Sequence, residues 1–382
     1  MEFKRRHSGK DFNIFTEITA LAKQYNAVNL SQGSPDYDLH PELKKFIIEA
    51  TEYNVNQYAS VSVFPMLVES IIRFNGRRNN PINITENQLT VIPGATYGMY
   101  VAFATFLEKG DEVLVLEPFY ETYTPSFEIR NAKPIYIKSN ENFEINWLSI
   151  KNAITPRTKA IIVNSPNNPT GKIWKKQDWD TLWEIIKDTE IIVVSDEVYD
   201  LICYDHHQFY SAFHHNEIKN RCFCIYSFEK MFHISGWKAG YIIAPEKYTQ
   251  AFQRIHQYLS FNINAYSQYA LAKFLDIFDI EKNKLMFQNK RDYFCKIIEN
   301  SPFEIIKKAE SGYFQTVSFR NYDQTMPDKD FALKLLIENQ IAGIPYSEFY
   351  SGSPKTGFMR FCFAKDDATL DLAAALFAKI GH

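Results

Sequence analysis

The 382-residue chain lacks the features that mark membrane, secreted and nucleotide-binding proteins. No run approaches the ~18 apolar residues that a membrane-spanning helix needs. The N-terminal segment MEFKRRHSGKDFN lacks the apolar stretch of a signal peptide. Neither GxGxxG nor GxxxxGK[ST] occurs, which argues against a nucleotide-binding dehydrogenase. We therefore expect a soluble, cytoplasmic protein that does not bind a membrane.

The chain also lacks a charge excess and a cysteine framework. It carries 42 basic and 45 acidic side chains, so nothing favours nucleic acid or an anionic surface as a partner. The cysteines are odd in number and form no CxxC pair: Cys203, Cys222, Cys224, Cys295 and Cys362. This pattern favours reduced thiols over disulfides or a zinc site, and we predict no metal centre.

The chain does contain many apolar residues, arranged in short runs that alternate with longer, helix-sized segments. Its length supports one large domain and a smaller one, and 46% of its residues are hydrophobic. Six short runs rich in Val, Ile and Tyr predict strands: Glu112–Glu117, Pro134–Lys138, Ala160–Asn164, Ile191–Ser195, Cys222–Ser227 and Ala239–Ile243. Between them, helices are predicted at Thr96–Leu107, Glu121–Asn131 and Lys176–Lys187. The alternation predicts a mostly parallel sheet covered by helices on both faces.

From about Lys282 the pattern changes. A long helix is predicted over Lys282–Asn300, followed by a strand at Tyr313–Phe319 and a helix at Asp330–Asn339. Fewer and shorter strands indicate a second, smaller unit.

Three polar motifs follow three of the predicted strands. NSPNNPTG follows AIIVN, SDEVYD follows IIVVS, and SFEK follows CFCIY. Ligands of open parallel sheets bind beyond the carboxyl ends of the strands. The motifs are therefore expected to converge on one crevice.

Lys230 in SFEKMFHISGWK is the candidate nucleophile. A lysine just past a buried strand can be desolvated, which lowers its pKa and makes its amine reactive. Ser227 and Lys238 flank it with a hydroxyl and an ammonium, which suit a phosphate. The alternative is a solvated loop with two ordinary lysines.

The other two motifs hold candidates for orienting a ligand. Asp196 at a strand end can face an aromatic nitrogen cation, with Tyr199 on the same side of the turn. The prolines of NSPNNPTG enforce a rigid turn that presents Asn168 at a fixed place. The alternatives are an acidic cap for the first motif and a plain strand-to-helix connection for the second.

Two more positions favour anions. Ala95 and Thr96 follow Pro93-Gly94 at a helix start, where exposed N–H groups suit a phosphate. The alternative is an ordinary helix start that binds no ligand. Arg360 lies inside the apolar run FMRFCF and is costly to bury alone. It could clamp a substrate carboxylate or form an internal salt bridge.

Together these motifs resemble the fold-type I, class I/II aminotransferases, which use pyridoxal 5'-phosphate (PLP). The resemblance runs from NLSQGSPDYD (Asn29–Asp38) to FMRFCFAKDDATL (Phe358–Leu370) and includes NQYA, GAT, EPFYETY and HQYLSF in order. It is strongest to bacterial methionine (glutamine-type) aminotransferases and to the kynurenine aminotransferase/cysteine-conjugate β-lyase group. It implies an α/β three-layer sandwich with a mostly parallel central sheet over 39–281, and a smaller α+β domain from 1–38 with 282–382.

The resemblance also implies residue roles. Lys230 would bond to PLP and carry a proton between the substrate Cα and the cofactor C4′. Asp196 would keep the pyridine nitrogen protonated, and Tyr199 and Asn168 would hydrogen-bond the ring O3′. The remaining cofactor contacts would be Tyr120 on the ring, Ala95, Thr96, Ser227 and Lys238 on the phosphate, and Tyr58 from the second subunit of a homodimer with shared sites. Substrate contacts would be Gly33, Asn168 and Arg360 for the carboxylate, and Tyr37, Phe261 and Tyr346 for the side chain.

Three positions depart from the family pattern. Glu229 replaces the small residue before the lysine, Val63 replaces a glycine after NQYA, and Ser34 replaces an aromatic residue. Because a carboxylate repels phosphate, Glu229 is expected to point away from the site.

The expected reaction moves the amino group of methionine, glutamine or an aromatic amino acid to a 2-oxo acid. β-Elimination from cysteine conjugates is an alternative on the same scaffold. A non-catalytic PLP-binding regulator is a more distant one, because about 28 residues before NLSQG leave no room for a DNA-binding module.

Overall fold

A computed structural model describes residues 13–53, 55 and 65–381 of the chain. The strands are β1 Val28–Asn29, β2 Leu89–Ile92, β3 Glu112–Glu117, β4 Lys133–Lys138, β5 Thr158–Asn164, β6 Ile192–Asp196, β7 Cys222–Ser227, β8 Gly240–Ile243, β9 Phe314–Ser318, β10 Ile341–Ala342, β11 Ile344–Pro345 and β12 Phe358–Cys362. The α-helices are α1 Ile14–Gln24, α2 Pro41–Glu52, α3 Pro65–Gly76, α4 Ala95–Ala104, α5 Tyr123–Glu128, α6 Trp147–Ala153, α7 Lys176–Ile186, α8 Phe228–Met231, α9 Glu246–Leu259, α10 Ala265–Ile277, α11 Ile280–Glu299, α12 Asp328–Asn339 and α13 Asp367–Phe377.

Seven strands form the central sheet in the order β2-β8-β7-β6-β5-β3-β4. All neighbouring pairs are parallel except those of β8, which runs antiparallel to both β2 and β7. The mostly parallel sheet predicted from the sequence is confirmed, with the predicted strand at Ala239–Ile243 as its antiparallel member.

Helices cover both faces of this sheet. On β3, Val113 and Val115 belong to one buried cluster, whereas Leu114 between them belongs to another. The first cluster includes side chains of α4, α5 and α9, and the second includes side chains of α3, α7 and α10. This alternation of side chains along a strand produces the three layers and leaves little polar surface on the sheet.

A second, smaller arrangement follows in the chain. Strands β9, β11 and β12 form an antiparallel sheet, and β1 pairs in parallel with β10. A separate buried cluster joins this sheet to α11, α12 and α13. The change of pattern near Lys282 thus corresponds to a second core, while the boundaries at 38/39 and 281/282 stay a prediction.

One predicted helix is shorter than expected. A helix is predicted over Glu121–Asn131, but the observed helix covers only Tyr123–Glu128. Pro125 has no N–H group and must lie in the first turn, which moves the helix start beyond Glu121. In the described ranges, no helix combines the length and apolarity needed to cross a membrane.

Candidate active site

A cleft opens at the carboxyl ends of three neighbouring strands. Strands β5, β6 and β7 lie side by side in parallel, so Asn164, Asp196 and Ser227 end at the same edge. The cleft measures about 1150 Å³, its opening to solvent included. The predicted residues along its wall are Gly33, Ala95, Thr96, Tyr120, Asn168, Asp196, Tyr199, Ser227, Lys230, Lys238 and Arg360. The convergence of the three motifs on one crevice is therefore observed.

Three predicted substrate contacts do not line this cleft within the described chain. Tyr37 packs against His233 and Phe287 and donates a hydrogen bond of 3.3 Å to the Lys365 carbonyl oxygen. Tyr346 is fully buried in an aromatic cluster of the smaller unit. Phe261 follows α9 in a left-handed conformation, with φ of 64°, outside the wall of its own chain's cleft.

Tyr37 and Tyr346 pack against other aromatic side chains outside the wall of this cleft, so their contact with the substrate side chain stays a prediction. The predicted Tyr58, like Val63, lies outside the described residues.

Lys230 is held deep in the cleft on the short helix α8. Its ammonium nitrogen lies 3.5 Å from the Gly33 carbonyl oxygen, which joins the two halves of the cleft. Burial lowers the pKa of the Lys230 amine, while the neighbouring Glu229 and Asp196 charges act to raise it. The net lowering makes the neutral, nucleophilic amine more accessible than in a solvated lysine.

Asp196 at the end of β6 is buried and hydrogen-bonded by Tyr123. The Tyr123 hydroxyl donates to Oδ2 at 2.6 Å, and the Val198 N–H donates to Oδ1 at 3.4 Å. Burial raises the pKa of Asp196 to about 6, and these hydrogen bonds and the Lys230 charge oppose the rise. A cation placed against this carboxylate would relieve the cost of burying its charge.

Tyr199, three residues further on, is buried and packs edge-on against Tyr313 and Phe314. Burial, followed by the Asp196 charge, raises its pKa above the ordinary value. Its phenol therefore stays protonated at neutral pH and can donate a hydrogen bond into the cleft.

The opposite end of the cleft collects groups suited to an anion. Gly94, with φ of +91°, caps α4, so Ala95 and Thr96 occupy the first turn with unpaired N–H groups. Ser227 is the last residue of β7, and Lys238 follows in a left-handed conformation.

The expectation that Glu229 points away is wrong. Its side chain is buried and lines the cleft, with Oε1 3.2 Å from the Lys238 ammonium. Lys238 lies at the same wall and offers the carboxylate an opposite charge there.

Arg360 on β12 is buried among aromatic rings. Its guanidinium donates to Asn168 Oδ1 at 2.9 Å and to the Ser31 carbonyl oxygen at 2.6 Å, while Nε has no hydrogen-bond partner. The Phe314 ring centre lies 4.1 Å away. No carboxylate within the described residues pairs with it, so the salt-bridge alternative finds no support there. Burial lowers the pKa of Arg360, yet a guanidinium remains charged.

Sequence reasoning missed several residues of the wall, among them Phe15, Tyr123 and Phe314. Tyr123 lies in EPFYETY, the motif that yielded Tyr120, and its spacing of three residues was the available signal. Phe15 lies on α1, near the N-terminus, and only the folded chain brings it 5.1 Å from the Arg360 guanidinium, measured to its ring centre.

Comparison with known proteins decides the family. The model of the aminotransferase class I and II family matches residues 25–377. The chain belongs to the class I and II aminotransferases. Members of this family act on amino acids and 2-oxo acids with PLP as cofactor, which confirms the predicted enzyme class and cofactor.

Two curated relatives and two solved structures illustrate the similarity. The methionine aminotransferase of Escherichia coli K12 is 33% identical, over 95% of this chain and 94% of that protein. Human kynurenine–oxoglutarate transaminase 1 is 28% identical, over 96% and 95%. A crystal structure of an Escherichia coli protein with methionine aminotransferase function superposes with a TM-score of 0.94 at 30% identity, covering 100% of both chains.

The structure of N-succinyldiaminopimelate aminotransferase from Mycobacterium tuberculosis has a TM-score of 0.91 at 29% identity, covering 96% of this chain and 97% of that one. All of these relatives are named as aminotransferases, so the alternative of a non-catalytic regulator gains no support.

The residues that line the cleft of this aminotransferase are arranged in a way that suits PLP. Gly94 has a φ of +91°, which favours glycine, and a Cβ there would lie 3.1 Å from the Lys238 ammonium, so glycine leaves room for an anion at the start of α4. The buried acid at Asp196, the buried amine at Lys230 and the helix start at Ala95 lie along one cleft, as a ring nitrogen, an aldehyde and a phosphate require.

Proposed function

We propose that this aminotransferase takes the amino group of methionine, glutamine or an aromatic amino acid and passes it to a 2-oxo acid. The observation that carries the proposal is Arg360, a buried guanidinium without a carboxylate partner among the described residues. A substrate α-carboxylate would supply the missing charge through two parallel hydrogen bonds. Asn168 and the Ser31 carbonyl oxygen hold the guanidinium in place for this contact.

The surroundings of Arg360 favour an apolar substrate side chain. Phe15 packs edge-on against Tyr120, with ring centres 6.1 Å apart, and both line the cleft with Phe314. In the described part of the wall, the only other cations are Lys230 and Lys238. The second carboxylate of an aspartate or glutamate substrate would then have no partner of its own. The name of the Escherichia coli relative, a methionine aminotransferase, supports the same preference.

Bound PLP would supply an aldehyde for the amino group and a ring that withdraws electrons from the substrate Cα. The proposed role of Lys230 is to anchor the cofactor and then to carry the proton between Cα and C4′, for which its lowered pKa suits it. Asp196 would hold the ring nitrogen protonated. Tyr199 and Asn168 would orient the ring through O3′, Tyr120 would stack on its face, and Ala95, Thr96, Ser227 and Lys238 would hold the phosphate.

A homodimer with shared sites is part of the proposal. Tyr258 on α9 is 85% exposed and Tyr53 after α2 is 62% exposed, and a contact with the second subunit would bury these rings. We assign Tyr58 and Phe261 to the cleft of the second subunit, where Tyr58 would reach the phosphate. The free thiols of all five cysteines support a cytoplasmic location.

An absorption spectrum followed by amino-acid titration tests the proposal. The purified protein should show a near-visible band from PLP bound at Lys230, and methionine with a 2-oxo acid should shift it reversibly. In Lys230→Ala the band should be lost and turnover should fall roughly 10²- to 10⁴-fold. The control Lys290→Ala removes a lysine that pairs with Asp367, outside the cleft wall.

Rates on methionine, glutamine, phenylalanine, kynurenine and aspartate decide the substrate class. A clear preference for aspartate would overturn the apolar assignment. Pyruvate and ammonia released from a cysteine conjugate without an amino acceptor would favour β-elimination instead.

A further inference from the structure

Glu229 brings a second negative charge to the end of the cleft where the cofactor phosphate is proposed to bind. The side chain is 6% exposed and its two oxygens lie 3.2 and 3.3 Å from the Lys238 ammonium. Oε1 is buried and accepts no hydrogen bond in the described chain. The ion pair therefore occupies Lys238, the cation at this end of the cleft, and still leaves the Glu229 Oε1 atom without a hydrogen bond in the described chain.

The same carboxylate lies against the helix start that offers N–H groups to an anion. A Cβ built on Gly94 would be 2.8 Å from Glu229 Oε1 and 3.1 Å from the Lys238 ammonium. Gly94 caps α4, where the helix dipole favours negative charge. Glu229 thus occupies surroundings that suit an anionic ligand.

The charges at this end leave no surplus for a phosphate. Of the cations that line the described wall, Arg360 is held by Asn168 and Lys230 is the nucleophile, which leaves Lys238. Glu229 neutralises it. A phosphate that binds between the α4 start and Lys238 must break this ion pair and then remain close to the released carboxylate.

We propose that Glu229 is an internal competitor for Lys238, which weakens PLP binding through the phosphate group and makes the cofactor readily exchangeable. The inference rests on the proposed placement of the phosphate. It makes Glu229 a positioning residue, since it acts on the cofactor through Lys238 and through repulsion, without a part in proton transfer.

Dissociation constants for two ligands of apo-protein test this inference. PLP and pyridoxal both reach Lys230 through an aldehyde, but only PLP carries a phosphate. Each is titrated into wild type, Glu229→Gln and Glu229→Gly, with the absorption band as the signal. Glu108→Gln removes an exposed carboxylate elsewhere and serves as the control.

The expected result is PLP binding about tenfold tighter or more in both Glu229 variants, because one full repulsive charge has been removed. Pyridoxal binding should change less than about twofold, and Glu108→Gln should behave as wild type. Inorganic phosphate, added as a competitor of PLP, should also inhibit at lower concentration in Glu229→Gln.

Three results would overturn the inference. These are unchanged PLP affinity in both variants, weaker PLP binding in Glu229→Gln, or an equal change for PLP and pyridoxal. Each leaves the proposed function intact as long as the Lys230 band forms. Absence of that band in wild type with saturating PLP would instead contradict the proposed function itself.

Discussion

The Arg360 guanidinium donates a 2.9 Å hydrogen bond to the Asn168 side-chain oxygen, and this bond joins the three-stranded sheet to a loop of the central sheet. Arg360 lies on β12 of the smaller sheet, while Asn168 lies in the loop after β5 of the central sheet. A second bond, to the Ser31 carbonyl oxygen, fixes the plane of the guanidinium. The orientation of the Arg360 guanidinium, the proposed substrate clamp, is therefore set by these two hydrogen bonds.

This geometry predicts a large effect of Arg360→Lys. An ammonium cannot bond Asn168, Ser31 and a substrate carboxylate in one plane, so kcat/KM for methionine should fall about a hundredfold or more. The PLP absorption band should persist, because Arg360 is not proposed to touch the cofactor. Arg320→Lys is the matched control, since Arg320 also lies over a ring, that of Phe358, but outside the cleft wall. Equal losses in both variants would argue against a clamp.

Tyr123→Phe tests the support of Asp196. The variant removes the 2.6 Å hydrogen bond that opposes the effect of burial, so the Asp196 pKa should rise above about 6, by roughly 1 to 2 pH units. A protonated Asp196 cannot hold the ring nitrogen as a cation. PLP affinity should therefore fall as pH drops through this pKa, and the fall should begin at higher pH in the variant.

The measurement is the PLP dissociation constant between pH 5 and 8. Tyr248→Phe is the control, because Tyr248 stacks on Phe223 away from the cleft. Identical pH profiles for wild type and Tyr123→Phe would mean that the hydrogen bond does not tune Asp196.

The placement of the strand-end residues in one cleft was predictable from the sequence because it depends on local order. Buried strands such as Cys222–Ser227 appear as continuous apolar runs, and each is followed at once by its motif. The parallel arrangement then brings Asp196, Asn168 and Lys230 to one edge without knowledge of distant contacts.

Contacts made across long sequence distances were not predictable in this way. Phe15 reaches Arg360 through packing that no local pattern records. Even over nine residues, the direction of Glu229 toward Lys238 depends on how the fold brings both side chains to one wall of the cleft. Tyr37 was assigned to the pocket by resemblance, but its ring packs against His233 and Phe287 outside the wall of the cleft. Side-chain direction at the edge of a site is decided by neighbours from other elements, which the sequence around the residue does not specify.

Phe15→Ala should reduce the preference for large apolar substrates. Loss of the ring removes apolar contact worth about 1.5–3 kcal/mol, so kcat/KM for methionine and phenylalanine should fall about ten- to a hundredfold. For alanine as the substrate, kcat/KM should fall little, because its methyl group does not reach far beyond the Arg360 clamp. Alanine therefore serves as the internal control. A uniform loss on all three substrates would indicate that Phe15 acts by holding Arg360, 5.1 Å away, and not by contacting the side chain.

Shared active sites predict complementation between two inactive variants. In the proposed homodimer, each site combines Lys230 of one subunit with Tyr58 of the other, so Lys230→Ala and Tyr58→Ala each damage both sites of their own dimer. A mixed dimer places both substitutions in one site and leaves the other intact. Random assembly of equal amounts should then restore roughly a quarter of wild-type activity. Co-expression with two different affinity tags isolates the mixed dimer for assay. If its activity equals only the mean of the two parent dimers, Tyr58 serves its own subunit and the exposed faces around Tyr53 and Tyr258 need another explanation.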